Sequence, residues 1–198
     1  MRFLPRALYC ALLLSLPASV FAQTPTPAQQ IKAAVLPIPE EMRDGARVHG
    51  YDANGTLVLL REGQNDFICL ADDPSDDRFH VACYHMSLEP FMARGRVLRA
   101  EGKEREEMQR IREQEARSGV IKMPERPAAL YSLTGKATDY TPETGEALNT
   151  RPLYVVYIPY ATPETTGLSP RPTGAGAPWL MDAGKPWAHI MIIPGASQ

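Results

Sequence analysis

Two short stretches near residue 50 are rich in residues that favour β-strands, and this pattern predicts a strand at each. The two stretches, Arg47–Tyr51 and residues 56–61, flank the dipeptide Asn54-Gly55. Asn-Gly between such runs is typical of a tight hairpin turn, because both central residues of that turn need a positive φ. The sequence therefore predicts a first β-hairpin at this point.

A second pair of strand-like segments follows directly. Residues 66–70 and 78–84 are rich in β-branched and aromatic side chains, and they flank an acidic loop at residues 72–77. Antiparallel pairing of these segments would place Cys69 opposite Cys83, because the two cysteines lie almost symmetrically about the loop. The sequence therefore predicts a second hairpin in which the cysteines are neighbours.

A helical pattern begins after the second hairpin. Ser87 is a suitable N-cap, and apolar residues then recur at helical spacing: Leu88, Phe91, Met92 and Leu98. Residues 101–117 continue the helix with almost only charged side chains, so this half is expected to lie on the surface. Gly102 predicts a kink or a break, and Gly119 predicts the end of the helix.

Three further strands are predicted at residues 128–133, 153–160 and 188–193. The intervening segments, 135–152 and 161–186, are long and rich in Pro, Gly and Thr. Strands outnumber helices, and the helix follows hairpins instead of alternating with strands. This order favours an α+β fold whose antiparallel sheet has about five to seven strands, with one long, kinked or split helix and long Pro/Gly-rich loops.

The N-terminus has the features of a secretory signal peptide. A positively charged start precedes an apolar stretch at residues 8–16, and the small residues Val20 and Ala22 suit a cleavage site. A membrane anchor is the alternative, but the apolar stretch is shorter than the roughly 20 residues that span a bilayer. We expect residues 1–22 to be removed before Gln23, which predicts a secreted or periplasmic protein.

The segment after the cleavage site is rich in proline. Residues 23–45 are therefore expected to form an N-terminal arm with a short helix, and residues 46–198 a single α+β domain. Within the mature chain, no apolar stretch is long enough to predict a transmembrane segment.

Cleavage also changes the charge of the chain. Removal of Arg2 and Arg6 from the 21 basic residues leaves 19, against 23 acidic residues. Every group of basic residues is interleaved with acidic ones, so the sequence does not predict binding to nucleic acid or to anionic membranes.

Cleavage removes Cys10 and leaves Cys69 and Cys83 as an even pair. In an oxidising compartment such a pair predicts a disulfide bond. A pair of free or metal-bound thiolates is the alternative.

Two groups of residues are candidate sites. His85, Glu89 and His189 could supply the two imidazoles and one carboxylate of a divalent metal site, although the H-E-x-x-H pattern is missing and ordinary surface or core histidines are the alternative. Trp179, Trp187 and Asp182 could contact a planar or apolar ligand, although the tryptophans could equally cover the end of the sheet.

The chain has neither a G-x-S-x-G nucleophile motif nor a complete Gly-rich phosphate loop. Arg94 and Arg96 in the predicted helix could bind an anion, but arginines on a helix face are usually solvated. The sequence therefore favours a non-enzymatic exported domain that binds a small molecule or an envelope or extracellular protein, with no cofactor predicted. The alternatives are a metal-dependent hydrolase that uses the His/Glu/His site and a scaffold whose charged helix docks a partner.

Overall fold

A computed structural model describes residues 24–195 of the chain. The predicted signal peptide, residues 1–22, lies outside the described residues. The helices are α1 (Pro27–Ala34), α2 (Glu40–Arg43), α3 (Glu89–Ala100), α4 (Arg105–Arg117) and α5 (Pro163–Thr166). The strands are β1 (Arg47–Tyr51), β2 (Leu57–Arg61), β3 (Phe67–Leu70), β4 (Arg78–His85), β5 (Ala128–Lys136), β6 (Tyr140–Thr141), β7 (Glu146–Ala147), β8 (Arg151–Tyr157), β9 (Trp179–Met181) and β10 (His189–Ile192).

Eight of these strands form one sheet in the order β2-β1-β3-β4-β5-β8-β10-β9. All neighbours are antiparallel except β1 and β3, which are parallel. The predicted α+β class with an antiparallel sheet is therefore confirmed at that level, but the predicted count of five to seven strands is too low. One strand that the prediction missed is β9, which lies inside a segment expected to be a loop and is only three residues long.

Both predicted hairpins are present. Strand β1 pairs antiparallel with β2 around a turn in which Gly55 has a φ of 74°. Strand β3 pairs antiparallel with β4, and Cys69 stands directly opposite Cys83 in the register. These two cysteines form a disulfide bond, and both are fully buried. The predicted disulfide is thus confirmed, because the hairpin register and the cysteine spacing agree.

The prediction of one long helix is wrong, because two helices, α3 and α4, occupy that segment, but the predicted break at Gly102 is present. Gly102 ends α3 with a φ of 73°, and its N–H donates to the carbonyl of Arg99. The two helices then pack against each other, and Arg94 donates three hydrogen bonds of 2.8–3.1 Å to the carboxylate of Glu115. Among residues 24–195, no helix is long and apolar enough to cross a membrane.

Helices pack on both faces of the sheet. Tyr84, Leu130 and Val155 stand opposite one another in β4, β5 and β8, so they share one face. We call this the hairpin face, after the helical hairpin formed by α3 and α4. Helix α3 packs on it through Leu88 and Met92.

The other face carries the disulfide, and we call it the disulfide face. It is covered by α1, which begins with a capping box at Thr26. The segment that was predicted to be an arm packs here. Ala34, Val35 and Ile38 are buried in one cluster with Val48 and Cys83.

Candidate functional site

A cavity of about 470 Å³ lies between the α3–α4 hairpin and the hairpin face of the sheet. Its volume falls within the range of small-molecule sites. The polar side chains that line it include Tyr51, Asp72, His80, Arg96, Arg99 and Arg112. Apolar side chains from both layers complete the lining: Leu70, Met92, Met108 and Leu130. The cavity thus combines an apolar surface with several charged groups, and we call it the hairpin cavity.

Arg112 is the most unusual of these groups. Its Nε atom is buried and has no hydrogen-bond partner among the described residues. The guanidinium lies 4.2 Å from the centre of the Phe91 ring. Burial is the main cause that lowers the pKa of Arg112 from its ordinary value; Tyr157 acts in the opposite direction, and the charge of Arg99 lowers the pKa further. Arg112 is half-buried, so its guanidinium is only partly solvated, and it has no carboxylate partner among the described residues. A cation in this setting favours the approach of an anion.

Gly95 makes this position of Arg112 available. A Cβ atom at residue 95 would lie only 2.9 Å from the Nη1 atom of Arg112. Helix α3 therefore carries a glycine at the point where the arginine from α4 crosses it. The glycine is unfavourable for a helix interior, so its benefit here is the space that it leaves for the guanidinium.

A second arginine of the cavity is held in a defined orientation. Arg96 donates to the hydroxyl oxygen of Tyr84 at 2.8 Å and to a carboxylate oxygen of Glu89 at 2.6 Å. The Tyr84 hydroxyl in turn donates to the other oxygen of Glu89 at 2.5 Å. Burial, followed by the hydrogen bond to Glu89, raises the pKa of Tyr84, so the phenol stays neutral. Both oxygens of the Glu89 carboxylate therefore already have a hydrogen-bond partner.

Arg99 completes the basic side of the cavity. It takes part in none of the nine salt bridges within residues 24–195. Its charge is close enough to contribute to the lowered pKa of His80, after burial and the charge of Arg78. The His80 ring is consequently neutral at pH 7, and the positive charge of this side comes from the arginines.

The acidic side of the cavity comes from the loop between β3 and β4. Asp76 forms a salt bridge with Arg78 at 2.8 Å. Asp72 instead accepts only the backbone N–H of His80, at 2.7 Å, among the described residues. Burial is the main cause that raises the pKa of Asp72 to about 6, and the negative charges of Asp76 and Asp73 add to it.

The residues of the predicted metal site lie apart. His85 caps a 3-10 turn, where its Nδ1 atom accepts the Ser87 N–H at 3.2 Å, and it lies on the disulfide face. His189 donates from Nδ1 to the carbonyl of Trp187 at 2.8 Å, and its register opposite Tyr157 places it on the hairpin face. Within residues 24–195, no group of three or more His, Cys, Asp or Glu side chains could hold a metal ion. The metal-dependent hydrolase therefore stays a prediction that this geometry does not support.

The predicted tryptophan site is also not an open surface. Trp179 and Trp187 are 8% and 7% exposed. Trp187 stacks on Phe91 with ring centres 5.8 Å apart, so it supports the ring on which Arg112 lies. Asp182 is exposed in a turn and has a φ of 52°. The tryptophans are therefore packed side chains, and ligand binding at Trp179, Trp187 and Asp182 stays a prediction.

Sequence reasoning missed the convergence of Arg99, Arg112 and Asp72. Arg112 falls in a segment with so many charges that a solvated position was expected, and the crossing of α4 over Gly95 reverses that expectation. The signal in the sequence is the i,i+3 spacing of Arg96 and Arg99, which places both on one side of α3. Comparisons of the chain with models of known protein families, with curated proteins and with solved structures found no match.

Proposed function

We propose that this chain is an exported, non-enzymatic binding protein that holds a small anionic molecule in the hairpin cavity. The observation that carries the proposal is Arg112, a cation with a buried Nε atom that has no hydrogen-bond partner among the described residues. Buried polar groups in folded proteins nearly always have partners. A ligand carboxylate or phosphate in the cavity would bond to the Nη atoms of Arg112 and to the exposed Arg99, and it would compensate a charge that no carboxylate in the described part of the chain balances.

The rest of the lining supports a ligand with an apolar body. Met92 from α3, Met108 from α4 and Leu130 from β5 face the cavity. Methionine side chains adapt to irregular apolar shapes, so they suit an organic anion better than an inorganic one. The proposed ligand is therefore a small organic acid or phosphate ester whose apolar part lies against these residues.

The disulfide between Cys69 and Cys83 supports an oxidising compartment. It is compatible with the export that residues 1–22 predict. We place the binding event in the periplasm or outside the cell, where the protein meets small molecules before they enter the cytoplasm.

The test is equilibrium binding to the exported protein. A library of carboxylates, phosphate esters and sulfates is screened by thermal shift, and hits are measured by isothermal titration calorimetry. Two variants accompany the wild type: Arg112→Met removes the charge but keeps the length, and Arg171→Met does the same at an exposed residue outside the cavity.

We expect at least one organic anion to bind, with a loss of ten-fold or more in Arg112→Met and no change in Arg171→Met. Such a loss corresponds to the charge-assisted hydrogen bonds that the anion forms with the guanidinium. Failure of every anion to bind, or equal binding by both variants, would contradict the proposal.

A further inference from the structure

We infer that the chain has a second binding site, in which Asp72 holds a small organic ammonium ion beside the rings of Phe79 and Tyr140. The site is a cavity of about 150 Å³ that lies between α1, the start of β4 and β6. We call it the α1 cavity, and one carboxylate, two aromatic rings and three prolines form most of its lining: Asp72, Phe79, Tyr140, Pro25, Pro74 and Pro142. A cavity of this volume holds a molecule of about the size of benzene. The inference does not rest on the function proposed for the hairpin cavity.

The first argument is the charge of the α1 cavity. Asp72 is the one charged residue of its lining within the described part of the chain. This half-buried carboxylate accepts the backbone N–H of His80 at 2.7 Å, and it forms no salt bridge within residues 24–195. Lys32, the basic residue of α1, does not line the cavity, and its Nζ atom donates to the carbonyl of Thr144. The cavity therefore presents a negative charge without a cation, which favours a positively charged ligand.

The second argument is that Asp72 and Tyr140 lie within reach of one small ion. Burial, followed by the negative charges of Glu143 and Asp72, raises the pKa of Tyr140. The carboxylate of Asp72 thus lies within electrostatic range of the phenol, and both groups line the same small cavity. The negative charges that disfavour ionisation of the phenol also favour a cation in the space between the two groups.

The third argument is the aromatic wall, which suits an organic cation. Phe79 and Tyr140 stack with ring centres 4.6 Å apart and an interplanar angle of 11°. Aromatic rings attract ammonium groups through their quadrupole, as in the aromatic cages that bind choline and methyl-lysine. A metal ion would instead need several ligands, and no group of three or more His, Cys, Asp or Glu side chains among the described residues could hold one. The ligand is therefore an ammonium ion with an apolar body.

The experiment compares ammonium ions with neutral molecules of the same shape. Butylammonium and benzylammonium chloride, and the alcohols butanol and benzyl alcohol, are titrated into the exported protein at constant ionic strength, and binding is followed in ¹⁵N–¹H correlation spectra. The pH is 7.5, at which Asp72 is ionised because its pKa is about 6. We expect at least one ammonium ion to bind ten-fold or more tightly than its alcohol, because only the ion pairs with the carboxylate.

Two variants test the role of the carboxylate. Asp72→Asn keeps an oxygen that accepts the His80 N–H, so the variant retains the loop contact. It should bind the ammonium ion and the alcohol equally. The matched control is Asp77→Asn, since Asp77 belongs to the same loop but is exposed and does not line the α1 cavity. It should keep the preference for the ammonium ion.

A third variant locates the ion, because Asp72 lines the hairpin cavity as well as the α1 cavity. Tyr140→Leu keeps an apolar side chain but removes the ring, and it should weaken binding of the ammonium ion several-fold. Unchanged binding in this variant overturns the inference, since the ion then lies outside the α1 cavity. Equal binding of ammonium ions and alcohols by the wild type, or a preference that survives in Asp72→Asn, overturns it too. None of these results affects the organic anion proposed for the hairpin cavity, because binding of that anion is tested at Arg112.

Discussion

The guanidinium carbon of Arg112 lies 4.2 Å from the centre of the Phe91 ring, and the arginine's Nε atom is buried without a hydrogen-bond partner in the described part of the chain. A cation–π contact of this kind contributes about 1–2 kcal/mol when it is desolvated. The partial loss of water around a half-buried charge is unfavourable. The ring therefore holds the guanidinium in place without compensating it fully, which is the condition that an incoming anion can exploit.

Gly95→Ala separates binding from stability. The new methyl group would lie 2.9 Å from the Nη1 atom of Arg112 and displace the flexible end of that side chain. Alanine is favoured over glycine in a helix by about 1 kcal/mol. We expect an unchanged or higher free energy of unfolding in urea, together with a several-fold weaker affinity for the anion that the wild type binds. Unchanged affinity in a folded variant would show that the position of Arg112 beside Gly95 is not used in binding.

The acid–base behaviour of Asp72 predicts a pH-dependent change in stability. Its pKa is about 6 in the folded protein, against 3.8 for an ordinary aspartate. The folded state therefore holds this proton more tightly, and stability falls as the pH rises from about 4 to about 6. Asp72→Asn removes this loss. We expect it to stabilise the protein at pH 7 by on the order of 1 kcal/mol, after allowance for solvent screening at a half-buried site, and to have little effect below pH 4.

Urea denaturation of wild type and Asp72→Asn across that pH range measures the effect. The exposed residue Asp77 again offers the control variant, Asp77→Asn, which should follow the wild type. A variant at Asp72 that is less stable than the wild type at pH 7 would contradict the burial-based explanation.

The contacts of Glu89 predict a structural role. Glu89→Gln loses the charge in the bonds to Arg96 and to the Tyr84 hydroxyl. We expect a loss of about 1–2 kcal/mol in the free energy of unfolding, measured by urea denaturation.

Elemental analysis of protein purified without a metal-affinity tag should find no stoichiometric metal. One equivalent of metal that disappears in both His85→Ala and His189→Ala would instead favour the hydrolase.

Trp187 is expected to act through packing. Its ring is 7% exposed and stacks on Phe91. Trp187→Ala should lower the free energy of unfolding by about 3–5 kcal/mol, as for other large core aromatic residues, and Trp187→Phe by less. A loss under about 0.5 kcal/mol in Trp187→Ala would indicate a surface residue and would favour a role for Trp187 in ligand binding.

Local patterns predicted the parts of the fold that depend on neighbouring residues. Asn54-Gly55 specified the first turn, and the symmetric positions of Cys69 and Cys83 specified both the register of the second hairpin and its disulfide. These predictions succeeded because hairpins and their cross-strand pairs form between segments that are close in sequence.

The candidate site depends on contacts that no local pattern contains. The break at Gly102 divides the segment into two helices, and this arrangement lets Arg112 from α4 lie against Gly95 of α3. Arg112 then lines the same cavity as Asp72, which lies forty residues earlier in the chain. His85 and Glu89 lie close in sequence, which suggested that they bind one metal ion. The sheet instead places His85 on the disulfide face, and Glu89 bonds with Arg96. Residue spacing alone does not reveal which face of a sheet a side chain occupies at the end of a strand.

The most direct test of the central claim is a measurement on the Arg112 side chain itself. In ¹⁵N–¹H correlation spectra, the Nε–H signal of Arg112 can be followed while the tightest-binding organic anion from the screen is added. We expect a saturable shift of this signal, with the same dissociation constant as in calorimetry, and an unchanged signal from the exposed Arg171. An Arg112 Nε–H signal that stays in place while the anion binds would contradict the account.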